Sequence, residues 1–287
     1  MAPPATDAGR VKAQLAKTRA TLAAAGIPLP WLDAEILVAH VLQSSRERLH
    51  SHPDRLLTVA QRARLRRLAT RRAARVPVPY LVGEREFYGH MFVVTPAVLV
   101  PRPSSELLVE LAIDWLKSHP SARQVIDLGT GSGAVAISVA KAVPGVRIEA
   151  RDVSARALRV ADQNIARHRL RRQVTTVRGN LLRGARPADL ILANLPYIPD
   201  ALRRIRPKEL DYEPSLALDG GTDGLDLIRT ALAQAPAMVK PGGLVLFECD
   251  PAQTRRIVRL AQRHWPAAEV TVHKDLAGLN RVVRIET

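Results

Sequence analysis

The spacing of hydrophobic positions changes once along the chain and separates a helical part from a mixed part. In the first part, apolar residues recur every three or four positions, which is the period of an amphipathic helix. Three segments show this period: residues 11–27, 28–43 and 54–76. The pattern predicts several short helices, which together form a small all-helical N-terminal domain, residues 1–80.

A stretch rich in proline and glycine, residues 76–106, interrupts the helical pattern. Within it, apolar and polar residues alternate in "EFYGHMFVV", 86–94, and this alternation predicts a short hairpin. We therefore assign residues 81–103 to a linker hairpin that joins two domains.

Beyond residue 104, short apolar runs alternate with helical patterns. Seven runs predict strands: 124–130, 146–153, 174–180, 188–196, 242–250, 269–275 and 281–287. Five segments predict helices: 107–119, 133–144, 154–170, 223–239 and 251–265. This alternation predicts an α/β domain, residues 104–287, with a doubly wound, seven-stranded Rossmann-like sheet. Because no helix separates the last two strands, one of them is expected to run antiparallel to the others.

Composition adds a strong basic bias to this picture. The 287 residues are 47% hydrophobic and 24% charged, as in ordinary globular proteins, but the net charge is +16. Residues 1–86 hold 15 Lys and Arg against 7 Asp and Glu, and 62–75 is the densest patch. Such a surface fits contact with RNA or a ribosome-associated partner, or simply a solvated helix face. No aromatic residues are interleaved with it, and the charge alone favours the solvated face.

Cysteine content and hydropathy bear on the compartment. The single cysteine, Cys249, excludes an internal disulfide and fits a reducing environment. The first ten residues lack the apolar core of a signal peptide, and no run approaches the roughly 20 apolar residues that span a bilayer. We expect a cytoplasmic protein without a membrane partner. The eight histidines show no metal-ligand spacing, so no metal site is predicted.

A glycine-rich turn, "VIDLGTGSGAVAIS" at 125–138, lies between a predicted strand and a predicted helix. Its three glycines let the backbone turn tightly and let a ligand approach the helix N-terminus. Asp152 ends the next strand, where a carboxylate suits a bidentate hold on ribose hydroxyls. The turn has no lysine and lacks the dinucleotide spacing, so an adenosyl ligand with an amino-acid tail fits it better than a pyrophosphate.

The segment "DLILANLPYIPD", 189–200, places an amide where a buried strand ends. In a doubly wound sheet the fourth strand ends beside the first, so Asn194 should lie near this ligand. The side-chain carbonyl of Asn194 and the backbone carbonyl of Leu195 could accept the hydrogens of a weakly nucleophilic nitrogen. Both hydrogen bonds would strengthen as positive charge develops on it. Pro196 restricts the turn, and Tyr197 offers a face for a planar group.

The glycine-rich turn, Asp127 before it and Asp152 together resemble the S-adenosyl-L-methionine site of class I methyltransferases. The resemblance implies that the turn approaches the methionine moiety, that Asp152 holds the ribose, and that Asn180 and Leu181 flank the adenine. The cofactor residues it implies are Asp127, Gly129, Thr130, Gly131, Ser132, Gly133, Asp152, Asn180, Leu181 and Asn194.

Asn-x-Pro-Tyr motifs occur in methyltransferases that act on adenine N6 and in those that act on protein glutamine. Asn-Leu-Pro-Tyr itself is familiar from ribosomal RNA adenine dimethyltransferases, so the tetrapeptide leaves both substrates open. Further segments follow in one order: "YLVGEREFYGHMFVVTPAVLVPRPSSELLVELA", "DLGTGSG", "NLPYI", "YEPSLALDGGTDGLDLIR", "KPGGLVLFE" and "KDLAGLNRVV". From about residue 10 to the end, the chain closely resembles the release-factor glutamine N5-methyltransferases, the PrmC/HemK group.

This resemblance implies that the chain methylates the glutamine side chain in the Gly-Gly-Gln loop of class I peptide chain release factors. It also implies a helical N-terminal domain that helps hold the release factor, and catalysis by Asn194, Leu195, Pro196 and Tyr197. The implied substrate-binding residues are Arg102, Pro103, Glu106, Asn194, Leu195, Pro196, Tyr197, Glu213 and Pro214. An adenine N6-methyltransferase acting on RNA or DNA, and a non-catalytic binder, are the alternatives.

Three segments depart from the usual pattern of that family. Leu195 replaces the first proline of Asn-Pro-Pro-Tyr, and "PRPSSE" replaces Pro-Arg-Pro-Glu-Thr-Glu. Asp250 stands where a glycine is common, and it lacks the backbone freedom of glycine. A backbone carbonyl does not depend on a proline ring, so the proposed acceptor at Leu195 is retained.

Overall fold

A computed structural model describes residues 7–202 and 205–287. The first six residues, part of the segment that lacks a signal-peptide core, lie outside this range. The chain forms two compact units. The first contains the described residues up to Gly83 together with Lys208–Tyr212, and the second contains Glu84–Pro207 and Glu213–Thr287.

The first unit is helical, as its hydrophobic period predicts. Its helices are α1 (Val11–Ala24), α2 (Pro30–Leu42), α3 (Arg46–Ser51), α4 (Val59–Ala73) and α5 (Val78–Val82). The apolar faces of α1, α2 and α4 pack around a core that includes Leu22, Leu37 and Leu65, all nearly inaccessible to solvent. A capping box between Thr58 and Gln61 begins α4 and satisfies two backbone N–H groups.

A buried guanidinium fastens the segment Lys208–Tyr212 within the helical unit. Arg72 is buried on α4, and it donates to Asp33 Oδ2 at 2.7 Å and to Glu209 Oε1 at 3.0 Å. The Tyr212 hydroxyl donates to the Ala74 carbonyl at 2.7 Å. A buried charge is tolerated only when it is paired and hydrogen-bonded, so these contacts explain why Arg72 is not part of the exposed basic surface.

Apart from Arg72 and the half-buried Arg62, the arginines of the basic patch on α4 are exposed. Arg64, Arg66, Arg67 and Arg71 all lie on the solvent side of the helix. Exposed arginines fit a solvated helix face, which the charge pattern alone favours, and they equally fit a surface that contacts RNA.

The second unit contains two sheets. The predicted hairpin is present as strands β1 (Glu84–Phe87) and β2 (His90–Val93), paired antiparallel. The large sheet has seven strands: β3 (Gln124–Leu128), β4 (Arg147–Asp152), β5 (Val174–Arg178), β6 (Ala188–Ala193), β7 (Val239–Glu248), β8 (Glu269–Lys274) and β9 (Asn280–Glu286). Their order is β5-β4-β3-β6-β7-β9-β8, and β9 runs antiparallel to both of its neighbours. The predicted doubly wound α/β sheet, including an antiparallel strand near its end, is therefore confirmed.

Helices cover both faces of this sheet. They are α6 (Glu106–Ser118), α7 (Ala134–Ala142), α8 (Ala155–Arg167), α9 (Asp226–Gln234) and α10 (Thr254–His264). Alternate residues of the central strands enter two apolar clusters: Val125 of β3 packs with α6 and α7, and Ile126 packs with α9 and α10. Burial on both faces explains why these strands read as continuous apolar runs in the sequence.

The strand order reverses between β3 and β6. Helical connections lead outward from this point in opposite directions, so a crevice opens at the carboxyl ends of the two strands. No helix in the described ranges is both long and apolar enough to cross a membrane.

A fully buried asparagine on α8 joins the hairpin to the turn after β3. Asn164 Oδ1 accepts from the Val93 amide at 2.8 Å, and its Nδ2 donates to the carbonyls of Val93 and Ser132 at 3.0 and 2.9 Å. The side chain therefore satisfies three backbone groups that belong to two separate segments.

We predict that Asn164→Ala destabilises the protein by roughly 2–4 kcal/mol, because it leaves buried backbone groups without partners. Urea unfolding followed by circular dichroism measures this change. Gln163→Ala, at the neighbouring exposed position, is the matched control and should alter the free energy of unfolding by less than about 0.5 kcal/mol. Equal effects of the two substitutions would show that Asn164 does not link these segments.

Candidate active site

A cavity of about 340 Å³ opens where the strand order reverses. Its walls come from the residues that follow β3, β4, β5 and β6, and from the segment before α6. Predicted site residues that line it are Arg102, Asp127, Gly129, Thr130, Gly131, Ser132, Asp152, Asn180, Leu181, Asn194, Leu195, Pro196 and Pro214. Residues far apart in sequence thus meet because parallel strands end at one edge of the sheet.

The glycine-rich turn after β3 passes very close to the end of β6. A Cβ atom at Gly129 would lie 3.3 Å from Leu195 Cδ2 and 3.4 Å from the Asn194 carbonyl oxygen. Gly129 also has a φ of +70°, which side chains rarely adopt. Only glycine therefore meets both conditions at this position, and the turn can lie directly against the Asn194 segment.

Asp152, at the end of β4, supports the same turn. Its Oδ2 accepts from the Gly131 amide at 3.0 Å, and its Oδ1 accepts from the Ser154 amide at 2.8 Å. Burial raises the pKa of Asp152, and these backbone N–H donors partly oppose the rise. Each carboxylate oxygen has lone pairs left after these bonds, so both can still accept from a ligand hydroxyl.

Asp127 is the most buried carboxyl group of the cavity wall. It is 2% exposed, and the Thr130 hydroxyl donates to its Oδ2 at 2.7 Å. Burial raises its pKa to about 6, with the nearby Asp152 charge adding to the rise and the Thr130 hydrogen bond opposing it. The Asp127 side chain therefore supports the glycine-rich turn through Thr130 and does not project into solvent.

A buried arginine shapes the part of the cavity that follows β5. Leu181 lies there with a φ of 52°, an unusual conformation for a branched residue. Arg151 is 3% exposed and donates to the Leu181 carbonyl at 2.8 Å and to the Arg183 carbonyl at 2.7 Å. These bonds hold the strained segment in place, and the exposed Asn180 precedes it on the cavity wall.

Asn194 directly follows β6 and is held by a hydroxyl group from another segment. Its Nδ2 donates to Ser105 Oγ at 2.9 Å, and Ser105 is buried just before α6. Leu195 is buried in the apolar cluster under β6. The amide and the residue after it therefore both have fixed positions on the cavity wall.

Five predicted site residues do not line the cavity. They are Pro103, Glu106, Gly133, Tyr197 and Glu213. Glu106 accepts from the Tyr88 amide of the hairpin at 2.9 Å, and Gly133 begins α7. Tyr197 packs against the apolar cluster instead, and burial, together with the Glu248 charge, raises its pKa to about 12.

Glu213 lies behind the cavity wall and contacts a residue that lines the cavity. It is buried, accepts from the Val100 amide at 3.0 Å, and forms an ion pair with Arg102, which itself lines the cavity. Its place is therefore that of a support for the wall.

Three polar residues of this region have no periodic signal in the sequence and are not among the individually predicted site residues. They are Ser105, Arg151 and Glu248, the last at the end of β7. Ser105 and Arg151 line the cavity, and Glu248 is fully buried close to it. A charged residue that ends an apolar strand at the ligand edge, as Glu248 does, is a signal that could have identified one of them.

Comparison with known proteins gives the family. Two family models match: the PrmC N-terminal domain over residues 14–83 and the methyltransferase small domain over residues 103–203. A release factor glutamine methyltransferase of Bordetella pertussis is 41% identical over 88% of this chain and 94% of its own length. One from Moorella thermoacetica is 39% identical over 91% of this chain and 92% of its own. The chain belongs to the release factor glutamine methyltransferase family.

The fold is likewise that of a known class. A solved structure of a T. thermophilus 16S rRNA methyltransferase, in complex with AdoMet and guanosine, superposes with a TM-score of 0.52. It is 18% identical and covers 71% of this chain and 49% of its own. The likeness confirms the class I methyltransferase fold, and the relatives above confirm the predicted family.

The departures from the usual family pattern have structural explanations. Asp250 has a φ of −68°, so the backbone freedom of glycine is not needed there, and its side chain accepts from the Ala252 amide. Ser104, the first serine of "PRPSSE", donates to Glu248 Oε1 at 3.1 Å.

The raised pKa of Asp127 predicts how stability depends on pH. Because the folded-state pKa of about 6 lies above the ordinary value of 3.8, protonated Asp127 stabilises the folded state at low pH. This contribution is lost as the pH rises from about 4 to 6. We therefore expect Asp127→Asn to be roughly 1–3 kcal/mol more stable than the natural protein at pH 7, and to lose this advantage at pH 4. Urea unfolding at several pH values measures the difference.

Asp189 is the matched control, because its shift has the opposite sign. Burial acts to raise its pKa, but hydrogen bonds from Lys240 and the Gln124 and Arg123 amides outweigh it, and the pKa is lowered. Asp189→Asn should therefore destabilise the protein at pH 7, with the loss shrinking as the pH falls. The same pH trend in both variants would contradict the assignment at Asp127.

Proposed function

We propose that the protein transfers a methyl group from S-adenosylmethionine to the side-chain amide nitrogen of glutamine in class I peptide chain release factors. The glutamine would be that of the Gly-Gly-Gln loop. The observation that carries the proposal is a neutral amide, Asn194, fixed on the wall of a cavity beside the glycine-rich turn. Membership of the release factor glutamine methyltransferase family supports the same substrate.

The residues present fit S-adenosylmethionine. Gly129 gives the turn a conformation with positive φ on the cavity wall, and Asp152 retains free lone pairs toward ribose hydroxyls. Asn180 and Leu181 would bind the adenine end, and residues 129–133 the amino-acid end. The cofactor supplies an electrophilic methyl group on a sulfonium. The protein would supply its binding and orientation, through fixed backbone groups and the Asp152 carboxylate.

The two proposed acceptors on the cavity wall, Asn194 Oδ1 and the Leu195 carbonyl, suit a primary amide as substrate. The amide nitrogen of glutamine is a poor nucleophile because its lone pair is delocalised, and methylation makes it positively charged. Asn194 Oδ1 and the Leu195 carbonyl would accept its two hydrogens, and both bonds strengthen as charge develops. Asn194 cannot take up a proton as a carboxylate would, so its acceptor does not change with pH. No strong general base is required in this arrangement.

The chain's own segments would hold the larger substrate. Arg102 and Pro214 line the cavity and would contact the glutamine-bearing loop, with Glu213 fixing the position of Arg102. The helical unit matches the PrmC N-terminal family model, and we propose that it helps bind the release factor. Methyltransferases that act on adenine also carry the Asn-Leu-Pro-Tyr motif. The relatives that match over most of the chain, however, are named as release factor glutamine methyltransferases.

Cofactor binding is tested directly by calorimetric titration with S-adenosylmethionine. Asp152→Ala should weaken binding roughly 30- to 100-fold, because it removes charge-assisted hydrogen bonds to the ribose. Asp114→Ala removes an exposed carboxylate on α6 outside the cavity, and it should leave the Kd within about twofold. Equal Kd values for the natural protein and Asp152→Ala would show that Asp152 does not bind the ribose of the cofactor.

Methyl transfer is tested with a purified release factor and isotopically labelled cofactor. Mass spectrometry should locate one added methyl group on the glutamine of the Gly-Gly-Gln loop. Asn194→Ala should lower kcat by roughly 100- to 1,000-fold, on the scale of a lost preorganised hydrogen bond. Label on RNA with none on this glutamine would contradict the proposal.

A further inference from the structure

A buried glutamine directly before α10 contacts the segment that follows β6, and the site as described so far gives it no role. Gln253 is 5% exposed, and its Nε2 donates to the Tyr197 carbonyl at 2.9 Å. The same nitrogen lies 3.3 Å from the Gly224 carbonyl oxygen and 3.4 Å from that of Asp223. Its Oε1 accepts from the Asp250 amide at 3.3 Å. One side-chain amide thus joins three separate segments of the chain.

The chemistry of these partners fixes the orientation of the Gln253 amide. A backbone carbonyl oxygen can only accept hydrogen bonds, and a backbone N–H can only donate one. The NH₂ group must therefore face the Tyr197 and Gly224 carbonyls, and Oε1 must face the Asp250 amide. None of these groups gains or loses a proton near neutral pH, so the contact does not depend on the charge of any acidic side chain.

The turn before α9 packs tightly against the same carbonyl group. A Cβ atom at Gly224 would meet both the Tyr197 carbonyl oxygen and Gln253 Nε2 far inside van der Waals contact. The next residue is held as well: the amide and carbonyl of Ile198 both hydrogen-bond the segment 218–220, at 2.9 and 3.0 Å. The backbone that leaves the Asn-Leu-Pro-Tyr motif is therefore anchored, and Gln253 supplies a side-chain bond to this anchor.

Leu195 lies between two anchored ends. Before it, Ala193 pairs with both neighbouring strands of the large sheet. After it, Gln253 holds the carbonyl of Tyr197. Between these points the Pro196 ring fixes one backbone torsion and restricts the conformation of Leu195. With both ends held, few positions are open to the Leu195 carbonyl, and loss of the bond at Tyr197 would release the remaining torsions.

We propose that Gln253 is a positioning residue, which holds the Leu195 carbonyl where it can accept a hydrogen of the substrate amide. This inference rests on the proposed function and deepens it. The two acceptors stabilise the developing charge only while they stay aligned with the nitrogen. Asn194 supplies one of them on a side chain held by Ser105. The Leu195 carbonyl is part of the main chain and is held through the backbone on either side of it.

An apolar variant of similar length tests this role. Gln253→Met fills the buried space but cannot donate to the Tyr197 carbonyl. Because a small displacement of a catalytic group is costly, we expect kcat for release-factor methylation to fall about 10- to 100-fold. Gln253 does not line the cavity, so the Kd for S-adenosylmethionine should stay within about twofold. A folded Gln253→Met variant with kcat within about twofold of the natural value would overturn the inference.

Asp250→Ala is the matched control within the same turn. Its side chain accepts from the Ala252 amide at 2.9 Å, and its backbone N–H, the partner of Gln253 Oε1, is kept in the variant. A role limited to stabilising the start of α10 predicts lower melting temperatures for both variants with kcat unchanged, which would refute the positioning role. The inference instead predicts that Gln253→Met alone loses activity, while Asp250→Ala keeps kcat within about twofold.

Gln253→Asn provides a second variant in case the apolar one does not fold. It retains a polar amide suited to the start of a helix, but its side chain is one methylene shorter. The 2.9 Å bond to Tyr197 is then out of reach, and kcat should fall at least about fivefold. A kcat equal to that of the natural protein would contradict the inference.

A double-variant cycle with Asn194→Ala connects Gln253 to the acceptor pair. Once one acceptor is gone, the substrate amide is no longer oriented, so the position of the Leu195 carbonyl should matter less. The kcat of the double variant should therefore be at least about fivefold higher than the product of the two single effects predicts. Losses that simply multiply would overturn the inference.

The outcomes also separate this inference from the proposed function. Absence of glutamine methylation by the natural protein would refute the function itself. A fully active natural protein with an unaffected Gln253→Met variant would refute only the positioning role of Gln253.

Discussion

The close approach of two strand ends is the constraint on which this site depends. The turn after β3 contacts the residues after β6, and it can do so only because Gly129 lacks a side chain. The reversal of strand order brings the two ends together, and the glycine allows backbone to lie against backbone. In the proposed function, a methyl donor bound by one turn and an amide bound by the other would be held side by side. The remaining contacts serve to keep this approach rigid.

Rigidity here comes from buried polar groups, each of which is unfavourable unless it has partners. Asn164 holds the glycine-rich turn from α8, Arg151 holds the strained segment after β5, and Asp152 holds Gly131. Asp127 and Glu248 have raised pKa values because they lie in the interior. A protein selected for stability alone would have apolar residues at several of these places. The cluster around one cavity shows instead where geometry has been kept at the expense of stability.

Much of the fold could be predicted because it follows from periodic patterns. The central strands β3, β6 and β7 appear as apolar runs since both faces of the sheet are covered there, and Asn194 could be placed from the connectivity rule of doubly wound sheets. The support of Asn194 could not be predicted in this way. Ser105 lies 89 positions away in sequence, and a serine carries no periodic signal. Tyr197 packs against a buried cluster, and Gln253 donates to its backbone carbonyl; no local pattern reveals either contact.

The segment Lys208–Tyr212 belongs to the helical unit although it lies within the sequence of the other one. Its anchors, Arg72 and Arg75, both pair with Glu209, and the next residue after the segment, Glu213, is buried in the second unit. The polypeptide therefore crosses from one unit to the other three times. A fragment that begins at Glu84 would lack the groups that bind Glu209 and Tyr212. These are Arg72, Arg75 and the Ala74 carbonyl. A single cut in the gene would therefore not separate the two units, because each cut leaves part of one unit with the other.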